Sequence, residues 1–438
     1  MMRLFLFRSN ARGMHYGIGT YLRTLTEALL THPGIEVFVV SYMCGDVAEL
    51  TEQRISDRQT MLSVPAPNQP FEPGEAADKR YAAALVRILE PWLAQEGPKI
   101  FHFNSALALP LMQQLRAQHS EGASVGVVHI AAWQTLFEGN SAKLQGLNVL
   151  EPRTNEEYTL SLERQFYQEC DRIVTVARFM KPFLTDYYGI AGEKITFIPN
   201  GIAPAQKPPL SVAERQELKL RLGFGAEERI ILYVGRIDEQ KGVFALAEAF
   251  SRICASHMNV RLVLVGEGQF LGCLSRVHRM KGRLCFTGFI PAEELDDYFQ
   301  IADVGILPSL FEQCPYTLLE MARHRIPLIV SQIDGPTEMF GPDECRFIPI
   351  RISGDGTPAI DVDLLSSALE EILSHTVPGA TDRASGKHAP SPDTAPPHNT
   401  LRTPSLSETF TARHMGAAYL RLYQELLSLK KNVSLDIA

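Results

Sequence analysis

The sequence predicts an α/β protein made of two doubly wound parallel-sheet domains in tandem. Three observations carry that expectation. Short apolar runs alternate with helix-period segments along most of the 438 residues, the pattern of a parallel sheet covered by helices on both faces. The alternation stops at a turn-rich crossing, where Pro199, Asn200 and Gly201 are followed by Pro204, Pro208 and Pro209, and then starts afresh. In each half a glycine-bearing loop separates the first strand from the first helix, so backbone N–H groups can approach an anion without an intervening side chain.

Composition bounds the rest. With 45% hydrophobic and 21% charged residues the chain can build an ordinary packed core. A net charge of −8 argues against general nucleic-acid binding. The cysteines at 44, 170, 254, 273, 285, 314 and 345 are scattered, without a CxxC or Cys/His spacing, which fits a reducing compartment. The apolar start at 2–7 is too short for a signal core and meets Arg8 and Arg12 at once. No apolar run approaches the ~20 residues that span a bilayer. A cytoplasmic protein is expected, with peripheral contact at the inner membrane face left open.

Residues 3–7 form the first strand, followed by a loop holding Gly13, Gly17 and Gly19. Leu22, Leu25, Ala28 and Leu29 then recur at helical spacing across 20–30. Residues 36–41 form a second strand. A Pro-rich surface loop over 65–74 precedes a helix over 76–93, and strand 100–103 ends in His102 and Asn104. Strand 124–129 carries His129 at its end, with Trp133 and Asn140 just beyond. Helix 156–169, strand 171–176, helix 178–188 and strand 194–198 complete the first half.

Strand 230–234 opens the second half and runs into a loop from Gly235 to Lys241. The helix after it turns Phe244, Leu246, Ala247 and Phe250 inward. Strand 261–265 leads to Gly266, Glu267 and Gly268, and strand 284–287 to Gly288. A helix over 292–302 and a short buried strand over 303–309 follow. The next helix should have Pro315 at its first position, where a missing N–H costs nothing. Residues 327–331 are the last expected strand, and 334–338 a loop. Composition changes from about 353 to 407; the stretch 377–404 is too poor in large apolar residues to offset ordering, so disorder is expected there. A helix resumes over 407–429, with Tyr419, Leu420, Leu422, Tyr423, Leu426 and Leu427 as its apolar stripe.

In an open α/β sheet, ligands bind outside the carboxyl ends of the strands, against helix N-termini. Arg236 and Lys241 lie between a strand end and a helix start, where two cations add to the helix's pull on an anion and suit a diphosphate. Glu312 and Glu320, eight positions apart, bracket the next helix start and can accept hydrogen bonds from hydroxyl groups. Taken singly, each feature has a bland reading: solvated loop charges, or a helix-start acid beside a surface acid. Cys314 is either a thiol activated by the helix dipole or a buried inert one.

The segments GRIDEQKG, LVGEG, FTGFI and ADVGILPS, then Glu312 and Glu320 with seven residues between them, occur in this order. Together with GIGTYL, DRIVTVARFMKPFL and IPNGI they resemble the retaining GT-B glycosyltransferases of family 4 (glycosyl transferases group 1), over roughly residues 1–345. The helix 407–429 resembles the C-terminal helix of such enzymes. The resemblance implies the GT-B fold, two Rossmann-like doubly wound domains facing across a cleft. An acceptor domain would occupy 1–203, and a nucleotide-sugar domain 204–406, interrupted by the insertion at about 377–404. The remaining 407–438 would pack back on the first domain. The implied activity is hexosyltransferase-type transfer from a nucleotide-diphosphate donor, a UDP- or GDP-sugar foremost. The acceptor stays unread among glycan, lipid-linked sugar, small molecule and peptide.

The resemblance also assigns residues. Arg236 and Lys241 match the cationic pair on the donor diphosphate, Glu320 the acid on the ribose hydroxyls, and Glu312 the acid beside the donor sugar. Gly235 and Gly266 fall at donor-binding strand ends. Gln313, Cys314, Pro315, Tyr316 and Thr317 match the run that meets the sugar and distal phosphate, largely through backbone N–H groups. Thr287, Gly288 and Phe289 match the segment beside the nucleobase, and Gly17 and Gly19 the loop over the phosphates. His129 matches a strand-end histidine aimed at the reacting centre.

Three departures stand out. Gln313 and Cys314 replace a usual Phe-Gly, and Ala177 stands where serine is frequent. His102 resembles one member of an H-x-H pair whose other position is Asn104 here.

No Asp-x-Asp is placed to hold a divalent metal, since Asp361 and Asp363 lie beside the insertion; metal-independent transfer with no cofactor beyond the donor is therefore expected. Cations and backbone dipoles aimed at the leaving group are the expected device. Retention follows from the resemblance, and with no obvious nucleophile it would proceed by front-face departure and attack. Closure of the two domains would keep water from the donor. Two other readings stay open: a nucleotide-sugar epimerase or hydrolase on the same fold, and a non-catalytic nucleotide-sugar binding protein. A dinucleotide dehydrogenase is disfavoured, because neither glycine loop is a full GxGxxG with its ribose acid about 20 residues on.

Overall fold

The computed structural model describes residues 1–9, 17–67, 74–205, 207–277, 281–375 and 404–436, without the side chains of 281, 375 and 432–436. Gly13 and residues 377–403 of the insertion expected over about 377–404 lie outside the described residues. The chain divides into two compact units, one of residues 1–136, 144–203 and 408–438, the other of residues 137–143 and 204–407.

The first unit is built on eight strands: β1 (Met2–Ser9), β2 (Ile35–Cys44), β3 (Thr51–Ser56), β4 (Gln59–Pro65), β5 (Lys99–Phe103), β6 (Ala123–Val128), β7 (Arg172–Thr175) and β8 (Ile195–Phe197). Their order is β3-β4-β2-β1-β5-β6-β7-β8, parallel throughout except for the β3–β4 pair at one edge. Aromatic rows set the register of the centre. Phe5 lies opposite Phe38 and Phe101, and Phe7 opposite Phe103. The Phe5–Phe38 and Phe7–Phe103 rings stack at 4.8 and 5.1 Å. A slip of one residue would send these rings to the opposite face.

Several elements differ from the sequence expectation, each for a local reason. The β3–β4 hairpin is absent from it: β3 is exposed at every position and leaves no apolar signal, and β4 buries only alternate residues. The helix expected over 178–188 is one turn, Met180–Pro182, followed by a π turn, Phe183–Tyr187. Pro182 cannot donate into a continuing ladder. The C-terminal helix begins at Ala412 after a short 3₁₀ turn, Glu408–Phe410, and belongs to the first unit. It packs on the helix Gly17–Leu30, with Gly416 so close to Ala28 that an added Cβ would fall 2.6 Å from the Ala28 Cβ.

The second unit holds β9 (Arg229–Val234), β10 (Val260–Val265), β11 (Leu284–Gly288), β12 (Val304–Leu307), β13 (Leu328–Gln332), β14 (Cys345–Ile352) and β15 (Pro358–Ile360). The order is β11-β10-β9-β12-β13-β14-β15, again parallel but for the last strand. The strand at 328–332 is therefore not the last. β14, β15 and a helix, Val362–His375, follow it, in a stretch where Pro349 and exposed alternate residues blur the pattern. Residues 334–339 form a helix, Asp334–Met339, rather than a loop. Pro336 is tolerated there because the first turn needs no intrahelical N–H. Among the described residues no helix is long and apolar enough to cross a membrane.

Candidate functional site

In the second unit β9 and β12 are neighbours from which the strand order runs outward in opposite directions. The carboxyl ends of such a pair form the crevice where open α/β sheets bind ligands. The loops there are tied to one another by backbone bonds: Gly235 N to Val265 O at 2.9 Å, Ile237 N to Glu267 O at 2.8 Å, Gly266 N to Gly288 O at 2.9 Å, and Leu310 N to Gln240 O at 2.9 Å. Two glycines are obligatory for this closeness. A Cβ on Gly266 (φ 135°) would fall 1.9 Å from the Gly235 carbonyl oxygen, and one on Gly242 (φ 66°) 1.9 Å from that of Pro308.

Four charged residues of these loops form two pairs. Lys241 Nζ lies 2.6 Å from Glu312 Oε1, with the two side chains 19% and 14% exposed. Ser309 Oγ donates to the same carboxylate oxygen at 2.8 Å. The Lys241 ammonium also sits 6.0 Å from the centroid of the Phe311 ring. Arg236, half exposed, meets Asp238 at 3.0 Å, and the other Asp238 oxygen accepts from the Lys241 backbone N–H at 3.0 Å. Tyr233, its phenol pushed well above the ordinary range by burial, donates to the Arg236 carbonyl at 2.5 Å. The formal charges of these two pairs sum to zero. Each cation is thus held in place by a carboxylate rather than repelled by its neighbour.

Pro315, with φ −70° and ψ 126°, stands just before the helix Tyr316–Arg323 and caps it, one position earlier than expected. Gln313 and Cys314 are buried in the loop before it. The Thr317 hydroxyl donates to the Val234 carbonyl at the end of β9, at 3.3 Å. Glu320, three residues on, shares that helix face. Thr287 and Gly288 end β11, where the Thr287 hydroxyl donates to the Gly288 carbonyl at 2.9 Å, and Phe289 follows with 42% exposure. Gly235, Arg236, Lys241, Gly266, Thr287, Gly288, Phe289, Glu312, the run 313–317 and Glu320 therefore cluster at the carboxyl ends of four neighbouring strands, or on the helix that follows one of them.

Sequence reading missed the groups that orient this cluster. Asp238 was legible in principle, two residues after Arg236 and three before the N–H it caps. Ser309 and Phe311 carry no such signal. Nor does the segment 137–143, which belongs to the second unit. Asn140 Nδ2 donates to Asp355 O at 3.1 Å, and Gly139 lies against Phe311. Asp361 and Asp363 are engaged by Arg351 and Arg252. Among the described residues no group of three or more His, Cys, Asp or Glu is arranged to hold a metal ion.

The first unit contributes the other expected residues. Gly17 and Gly19 lie in the first turn of the helix Gly17–Leu30 rather than in the loop before it. His129 follows β6, with Nε2 2.9 Å from Asn104 Oδ1 and its ring edge-on to Tyr21 at 4.5 Å. Burial holds its imidazole down at about 3. His102 is fully buried between the Tyr21 hydroxyl at 3.1 Å and the Tyr423 hydroxyl at 2.7 Å. Burial first, and neighbouring His129 second, bring it to about 3. His102 thus fastens the C-terminal helix to the sheet. Glu163 accepts from the Ala132 N–H and from the Tyr188 hydroxyl at 2.6 Å, tying down the loop after His129. Burial raises it to about 7.

Residues 214–373 match the family described as glycosyl transferases group 1, and residues 16–206 match glycosyltransferase family 4. An uncharacterized glycosyltransferase of Methanocaldococcus jannaschii is 29% identical over 177 residues, covering 40% of this chain and 45% of that protein. The alpha-monoglucosyldiacylglycerol synthase of Streptococcus pneumoniae is 25% identical over 333 residues, 75% of this chain and 70% of that protein. Several other relatives are matched over less than half of their own length. The structure of sucrose-phosphate synthase from Thermosynechococcus elongatus superimposes with a TM-score of 0.70 at 20% identity, covering 98% of this chain and 100% of that one, a likeness of fold. Two Rossmann-like units, carrying the two family patterns one after the other, make this chain a member of the family 4 glycosyltransferases of the GT-B fold.

Proposed function

We propose that this protein transfers a sugar from a nucleotide-diphosphate donor to a hydroxyl-bearing acceptor, with retention at the anomeric carbon and without a metal ion. The observation that carries the reading is the Lys241–Glu312 pair joining the loops of β9 and β12, with Arg236 on the same loop as Lys241. Breaking a sugar–diphosphate bond builds negative charge on the leaving oxygen, and cations already oriented before reaction stabilise it without reorganising. Arg236 and Lys241 take that role. Glu312 holds Lys241 and faces the donor sugar, while Glu320 accepts from the ribose. The Gln313 and Cys314 backbone meets the sugar and distal phosphate, and Thr287, Gly288 and Phe289 flank the base. A UDP- or GDP-sugar is the donor we favour.

The test is thermal denaturation of the full chain with UDP-, GDP- and ADP-sugars. A ligand at 100 times its Kd adds about 2.7 kcal/mol to the native state, enough to raise Tm by several degrees. One of the three should do so, and Lys241→Ala should abolish the shift. Release of nucleoside diphosphate that depends on added acceptor supports transfer. Equal release without acceptor points to a hydrolase, and no shift with any of the three overturns the donor assignment.

A further inference from the structure

At the edge of a sheet, alternate residues turn their backbone N–H and C=O groups outward, where another chain can pair with them. In the first unit β3 is such a strand. It ends the eight-stranded order, pairs antiparallel with β4, and is exposed at all six positions. Glu52 and Arg54 are two residues apart and therefore share one face of the strand. Neither is firmly engaged within the chain. Glu52 meets no partner among the described residues. Arg54 reaches Asp57 and the Ser56 carbonyl, each at 3.4 Å, with the Arg54 and Asp57 side chains largely exposed. Charge on an edge strand ordinarily repels other edges. Here the two charges are opposite, and that decides which pairing they permit.

We propose that β3 pairs antiparallel with β3 of a second copy of this chain, about a two-fold axis through Gln53. In an antiparallel ladder the two residues of an opposed pair exchange both backbone hydrogen bonds or neither. Alternate residues of β3 have committed theirs to β4, so only residues of the same class can face one another across the new seam. The two-fold axis must therefore pass through a residue and not between two. Three such axes use the body of the strand. An axis through Glu52 sets Glu52 against its own copy, and one through Arg54 does the same for Arg54; like charges directly opposed are destabilising. An axis through Gln53 sets Glu52 opposite Arg54 of the second copy, and Arg54 opposite its Glu52. An axis nearer either end leaves most of β3 unpaired, and past Arg54 the ladder with β4 is already shifted by a bulge. The charges thus reject the other registers and admit this one. A seam of three opposed pairs is small, so the association is weak and reversible. It stands apart from the transferase reading.

Sedimentation velocity of the full chain, from about 1 µM to about 1 mM, brackets an interface of this size. A monomer–dimer equilibrium is expected, and added salt should weaken it, because the opposed charges are exposed. Glu52→Arg sets arginine against arginine on both sides of the axis, and Arg54→Glu sets glutamate against glutamate. Each alone should weaken association at least about tenfold. An equimolar mixture of the two variants should recover the dimer, since every arginine then faces a glutamate. The double variant Glu52→Arg/Arg54→Glu should recover it too. Both positions are exposed, and thermal melts check that each variant is folded.

A native chain that stays monomeric throughout overturns the proposal. A dimer that either single variant leaves intact also overturns it, by placing the interface elsewhere. So does a mixture of folded variants that fails to associate. If a charge-reversed variant does not fold, Glu52→Gln/Arg54→Gln decides. Removing both charged pairs should abolish the salt dependence, and an unchanged response to salt overturns the proposal.

Discussion

Replacing Lys241 with methionine keeps the aliphatic stem and removes only the charge. Two unit charges 2.6 Å apart are worth about 6 kcal/mol of Coulomb energy at an effective dielectric of 20. Both side chains are less than one-fifth exposed, so much of this is offset by the cost of desolvating them. Removing one partner should therefore cost about 1–3 kcal/mol, or a fall in Tm of roughly 3–10 °C. Glu312 would retain the Ser309 hydroxyl as donor but lose its counter-charge. The effect on turnover should be larger, about 10²–10³ in kcat, because the proposed reaction assigns the lost cation to the leaving diphosphate.

A double-mutant cycle separates the two effects. Lys241→Met with Glu312→Gln should recover part of the lost stability, since no unpaired charge remains, yet recover no turnover. Nucleoside diphosphate release from the stabilising donor and thermal melts supply both readouts. A folded Lys241→Met that turns over within threefold of the native rate would refute the reasoning, and so would a double variant as unstable as the two losses summed.

Further outcomes follow from other parts of the molecule. Gly266→Ala and Gly242→Ala should each cost more than about 3 kcal/mol, since each Cβ would meet a backbone oxygen at 1.9 Å at a positive φ; a melt within 2–3 °C of native would contradict this. Glu163, raised to about 7, keeps a proton in the folded state that the unfolded chain releases near 4.5. Its contribution to stability is therefore full below about 4.5 and lost as pH rises through 7. Glu163→Gln should flatten that fall, so the Tm of the variant relative to native should rise between pH 5 and pH 8. Cys314, 5% exposed, should resist alkylation with and without nucleotide, read by mass spectrometry; rapid modification would show an accessible thiol. Deleting 377–403, chosen on composition alone, should leave donor turnover within a few-fold of native.

The parallel architecture could be read from the chain because its cause is local. Strands buried on both faces are near-continuous apolar runs, and helices reveal themselves by period. The glycines of the strand-end loops could be read for the same reason, since only glycine tolerates another backbone at such distance. Strands without such a run escaped that reading: β3 shows no buried face, β4 buries only alternate residues, and β14 and β15 show a broken pattern. The single-residue offset of Pro315 and the early start of the first helix belong to the precision with which any helix end can be placed from residues alone.

Sequence order was enough to bring Arg236, Lys241, Glu312 and Glu320 into one list, because each follows a strand end or opens a helix. Only three-dimensional packing shows that Lys241 is paired with Glu312 and Arg236 with Asp238, that His102 fastens a helix through Tyr423, 321 positions away, and that Phe7 and His129 both meet Asn104. Pairings of this kind join residues 2 to 321 positions apart in the chain, and whether they form depends on strand order and on which side chain reaches the shared space first. Periodicity and motif spacing record what a segment does with its own neighbours; they hold no information about which distant segment will meet it.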